Sequence, residues 1–323
     1  MLKLSQSGTG LTGLAKAKLV TSLTSIDASE NAITLLPPEI GGCLVVNELL
    51  LHGNEIKAVP PEIAKLQRLS VLNLSRNELT ELPTEMGKLV SLVDVNLAGN
   101  KLTALPVEVL TRWSQLKVLS VNDNNLGSIG SLESLISLTE LRLFGNLLDE
   151  MPVLARDVPL EVLEIHKNRI AKISETYFKK IPLAKRINVS SNRLAHLPRT
   201  IECCTQLQHL EAAYNDFASL PPGVLWPPTL QTLLLQGNPK LAVLPDELVE
   251  LPEITTCNLG DSGPALVVDT LQVGTRRRGE THPIQTTRIP ALPSRLHVSQ
   301  LSHPDHTYPS SPIQTTRIPA LPS

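Results

Sequence analysis

The chain has 323 residues, 41% of them hydrophobic but only 2% aromatic, so its core must be filled by aliphatic side chains, mainly leucine with isoleucine and valine. A formal net charge of −2 gives no general attraction to phosphate backbones or anionic lipid, which argues against nucleic acid and membrane as partners. Four cysteines, Cys43, Cys203, Cys204 and Cys257, form neither a C-x-x-C pair nor a dense framework, so the composition points to a reducing, cytoplasmic setting without zinc or disulfides.

Residues 1–22 carry lysines and scattered leucines but no apolar leader core, and nowhere does the sequence hold the run of about 18 apolar residues that a spanning helix requires. They are assigned as an N-terminal cap.

From residue 23 an asparagine recurs every 22 to 24 residues: Asn31, Asn54, Asn77, Asn100, Asn124, Asn146, Asn168, Asn192, Asn215 and Asn238. Each sits in the frame L-x-x-L-x-L-x-x-N-x-L-x-x-L-P, as in LSVLNLSRNELTELP from Leu69 to Pro83. The L-x-L alternation predicts a short strand with Leu72 and Leu74 on its core face and Asn73 on the other. The asparagine follows where the chain leaves the strand, and its amide both donates to and accepts from main-chain groups that the turn leaves unpaired. Ten such side chains are expected to stack as an internal ladder.

The second half of each unit often reads L-P-x-E-I or a variant, as at Pro37 to Ile40, Pro60 to Ile63, Pro83 to Met86 and Pro245 to Leu248. Proline opens a helical turn where no amide donor is needed, and glutamate suits its positive end. The units are unequal. Ala28 and Ala212 replace the third strand leucine and Ala184 the first, while the fifth and seventh units end in Ile129-Gly130 and Ile173-Ser174 without the proline. A degenerate stretch, Leu251 to Gly260, closes the series as the expected polar-faced cap.

The repeat domain is therefore placed at 23–262, with a strand-like extension at 263–274. From 275 to 323 the chain is rich in proline, serine, threonine and histidine and is expected to be disordered. That tail contains PIQTTRIPALPS twice without change, at Pro283 to Ser294 and Pro312 to Ser323, each copy holding a string with polyproline character of the kind SH3 domains read.

The period and frame resemble the leucine-rich-repeat family. The resemblance implies an α/β fold: a curved right-handed solenoid with a parallel β-sheet on its concave face and short helices or turns on its convex face. The L-P-x-E-I endings look like those of the intracellular Ras-group members. That likeness implies a monomeric scaffold in signalling, with a Ras-like GTPase or a phosphatase as partner and no cofactor. The alternative it leaves open is a targeting or regulatory subunit of a phosphatase or ubiquitin ligase.

In such a coil the variable strand positions form the concave surface, and between the second and third strand leucines charge recurs from the sixth unit onward, at Arg142, Glu164 and Glu211. The candidate partner-binding patch is Glu140, Arg142, Phe144, Glu164, His166, Arg186, His209, Glu211 and Tyr214, flanked by Glu161 and Lys167. Arginine and tyrosine are favoured at interface hot spots. Other signals carry less. GDSGP at Gly260 to Pro264 is similar to a serine-protease nucleophile loop, but a triad needs two β-barrels and this chain is committed to a coil. His166 and His209 near Glu164 and Glu211 read as polar surface before they read as metal ligands. Arg276 to Arg278 are too few for nucleic acid. No phosphate loop or credible triad marks an enzyme.

Overall fold

A computed structural model describes residues 2–14, 21–242, 244–248 and 251–260. The protease-like string after Gly260, the extension at 263–274, the arginine run and the duplicated tail all lie outside the described residues.

Twelve strands form one parallel sheet: β1 (Leu2–Ser5), β2 (Leu23–Asp27), β3 (Glu48–Leu50), β4 (Val71–Asn73), β5 (Asp94–Asn96), β6 (Val118–Ser120), β8 (Glu140–Arg142), β10 (Val162–Glu164), β11 (Arg186–Asn188), β12 (His209–Glu211), β13 (Thr232–Leu234) and β14 (Thr256–Asn258). Each strand pairs with its counterpart in the next unit, so Leu49 lies beside Leu72 and Leu72 beside Val95. Strands of three residues suffice because the alternation needs only one buried side chain between two outward ones. The middle positions, from Ile26 through Leu119 to Leu233, are buried, and Cys257 fills the same place in β14.

The residues before β2 supply a strand of their own. β1 pairs in parallel with β2, Leu14 is buried, and Gln6 O accepts from Asn31 Nδ2 at 2.8 Å. At the other end, Asn258 of β14 accepts from the Gly260 amide at 3.0 Å.

On the opposite side of the coil, proline-led stretches become tight helical turns: Pro38–Gly42, Pro61–Lys65, Thr84–Lys88, Arg199–Cys203 and Asp246–Leu248 are 3-10 turns, and α1 (Val107–Leu110) is a single α-turn. The preceding prolines, Pro37, Pro60, Pro83 and Pro106, are extended, and Glu39, Glu62, Glu85 and Glu108 occupy the first turns. After Ile129 the convex side changes. β7 (Ser131–Leu132) pairs in parallel with β9 (Val153–Leu154) as a separate two-stranded sheet, and Lys180 Nζ donates to Leu154 O at 2.8 Å. Among the described residues no helix is long and apolar enough to cross a membrane.

Candidate functional site

Two sets of side chains face each other across the strands: asparagines inside the coil and variable residues on the open sheet surface. Asn54 shows the internal pattern. Its Nδ2 donates to Ala28 O at 3.0 Å and Leu51 O at 2.9 Å, while its Oδ1 accepts from the Ile33 amide at 3.0 Å. Asn77, Asn100, Asn124, Asn146, Asn168, Asn192, Asn215 and Asn238 repeat it, so every asparagine ties its own turn to the unit before.

Sequence reasoning missed the residue before each of these asparagines. All ten have positive φ: Glu30, Arg76, Asp123, Lys167, Ser191 and Tyr214 at 52° to 54°, and Gly53, Gly99, Gly145 and Gly237 at 64° to 70°. The glycines preceding asparagine were the available signal. They also make room: a Cβ on Gly53 would lie 2.6 Å from Glu30 Oε2, and one on Gly237 would strike the ring of Tyr214. Glu30 thereby lies over Gly53 and pairs with Arg76 two units away.

The nine patch residues share the open face from β8 to β12 and the turns that follow, but they do not stand as independent charges. Arg142 bridges Glu140 at 2.6 Å and Glu164 at 3.4 Å, and Arg186 meets Glu211 at 2.9 Å, whose other oxygen accepts from Asn188 at 2.8 Å. Glu161 at the rim pairs with Lys185 at 2.8 Å. Glu140 reaches Arg142 along one face of β8, while parallel pairing sets Glu164 beside Arg142 and Glu211 beside Asn188 on neighbouring strands.

Phe144 and His166 stack with ring centroids 4.4 Å apart and planes 10° from parallel. Burial pushes the His166 imidazole below its ordinary pKa, Glu164 and Asp123 pull it up, and Lys167 adds to the lowering. His209 sits two strands beyond, its Nδ1 3.0 Å from Thr232 Oγ1, and is lowered by burial and by Arg186 against Glu211. Among the described residues no group of three or more His, Cys, Asp or Glu is arranged to hold a metal. Tyr214 is 57% exposed, with its ring above Gly237. Cys43, Cys204 and Cys257 are buried and Cys203 is half-buried; burial raises the thiol of Cys204 to about 12, with Cys203 adding to it.

The parallel sheet, the convex turns and the asparagine ladder define a leucine-rich-repeat solenoid. A family model described as Leucine rich repeat matches residues 45–102, 90–148 and 159–217, about half of the chain, and the chain belongs to that family. Human Podocan-like protein 1 is 29% identical over 196 residues, covering 56% of this chain and 38% of that protein. Human Leucine-rich repeats and immunoglobulin-like domains protein 3 is 28% identical over 150 residues, covering 46% of this chain and 13% of that protein. The chain thus spans well under half the length of these relatives.

Among solved structures, the functional domain of InlJ from Listeria monocytogenes superposes with a TM-score of 0.63 at 18% identity, covering 81% of this chain and 58% of that one. A TDR receptor gives 0.62 at 22% identity, covering 81% and 52%. At these identities the likeness is one of fold.

Proposed function

We propose that this solenoid is a non-enzymatic scaffold that binds a protein partner through the open sheet face across β8 to β12. The observation that carries the reading is Tyr214, an aromatic side chain more than half exposed in the turn after β12, whose main-chain amide donates to Gln236 O at 2.8 Å and whose neighbour Asn215 belongs to the ladder. A large aromatic side chain with few rotatable bonds, exposed on an ordered surface, is the residue type favoured at interface hot spots. The Phe144–His166 stack and the lateral ion pairs add a pre-ordered surface, so binding forfeits little side-chain freedom.

The setting we propose is cytoplasmic signalling, by a monomer, with a Ras-like GTPase or a phosphatase as partner. Its support is the L-P-x-E-I ending shared with Ras-group repeats. Proximity labelling in cells, comparing wild type with an Arg142→Ala, Phe144→Ala, Tyr214→Ala variant, tests both levels. Loss of a discrete set of labelled proteins is the expected result, and unchanged labelling would remove the patch from consideration. A lost set containing no GTPase or phosphatase would leave the patch and overturn the pathway.

A further inference from the structure

The first outward position of each strand shows a second order, away from Tyr214. Adjacent pairs run Glu48–Val71, Val71–Asp94, Asp94–Val118, Val118–Glu140 and Glu140–Val162, so carboxylate and valine alternate strand by strand from β3 to β10. All six side chains are half-exposed. No lysine or arginine lies on β2 to β6. Among the described residues, the Glu48 carboxylate accepts from Ser25 Oγ at 2.8 Å, the Asp94 carboxylate makes no hydrogen bond or ion pair, and of the three only Glu140 pairs with a cation, Arg142. The other nearby cations are Lys3 on β1 and the exposed Lys117 at the rim before β6. Burial, and then Glu140, push the Asp94 carboxyl above its ordinary pKa, against Arg142.

We infer that this stripe docks a partner segment in the polyproline II conformation with a lysine or arginine at every third residue. Neighbouring strands are about 4.8 Å apart, so the carboxylates recur at about 9.6 Å. A polyproline II helix has three residues per turn at about 3.1 Å each, which returns a side chain to the same face every ~9.3 Å. The two periods match over three carboxylates, and the prolines between cations, rotated by about 120° to either side, leave the segment's backbone over Val71 and Val118. A β-strand sends side chains three residues apart to opposite faces. An α-helix repeats a face at about 10.5 Å over seven residues, and so drifts by about 1 Å per step.

The test uses the full chain and two labelled dodecapeptides of identical composition, one with lysine at every third position among prolines and one with its four lysines consecutive. Fluorescence anisotropy is expected to show the periodic peptide binding at least about tenfold more tightly. Asp94→Asn and Glu48→Gln should each weaken it several-fold without moving the thermal melting point, while Tyr214→Ala leaves it unchanged. Equal affinity for the two peptides, no binding of either, or indifference to Asp94→Asn would overturn the inference. Because neither Glu48 nor Asp94 belongs to the β8–β12 patch, that outcome would leave the patch standing.

Discussion

Leu74 O accepts from two asparagines, Asn77 and Asn100, each at 3.0 Å, and Leu97 O likewise accepts from Asn100 and Asn124. Removing one amide therefore leaves each carbonyl a donor and orphans only the main-chain amide that its Oδ1 had served, which for Asn100 is that of Leu79. A buried unsatisfied group costs about 1–3 kcal/mol, and that is the loss expected for Asn100→Ala in urea unfolding. Asn77→Ala with Asn100→Ala strips Leu74 O of both donors, so the pair should lose more than the sum of the single changes. Asn54→Ala with Asn124→Ala share no carbonyl and should add simply. Equal additivity in the two cycles would contradict a shared ladder.

Elements in this coil are shaped by the unit beside them. Successive convex turns stack so closely that a Cβ on Gly41 would lie 2.6 Å from Glu62 O, and one on Gly87 would strike Glu108 O. Gly41→Ala should therefore destabilise by about 1–3 kcal/mol, as overpacking does, despite the better helical propensity of alanine. A gain in melting temperature would show that the turns can separate freely. The sequence made one level of this plain: Leu72 beside Asn73 specifies its own strand face, and Asn77 its own turn. What Arg142 touches depends on residues 22 positions away, Glu164 among them, and what Gly53 permits depends on Glu30 in the unit before. Periodicity within one unit puts these residues on one face but carries no record of such lateral pairs. The β7–β9 sheet was illegible because proline does not decide it: Ser131 follows Ile129-Gly130 with no proline, whereas Val153 directly follows Pro152 and still becomes a strand.

At the scale of the molecule, the buried side chains form one cluster running from Leu14 to Leu259, yet each layer touches only its neighbours. Stability is then a sum of interfaces, and a lesion in the middle acts on two of them. Leu119 of β6 is fully buried between Val95 and Leu141 in the register of the sheet. Truncating it to alanine removes transfer energy and leaves a cavity, together about 2–5 kcal/mol. The loss falls midway along the stack, so Leu119→Ala is expected to divide one urea transition into two. Amide exchange should quicken in β5, β6 and β8 while β3 and β12 keep their protection. A lesion at Ile26, near the end, should instead fray β1 and β2 and leave a single transition. If both variants shifted one undivided transition and exchange rose evenly across all strands, the coil would be unfolding as a single cooperative body and not as a stack of neighbours.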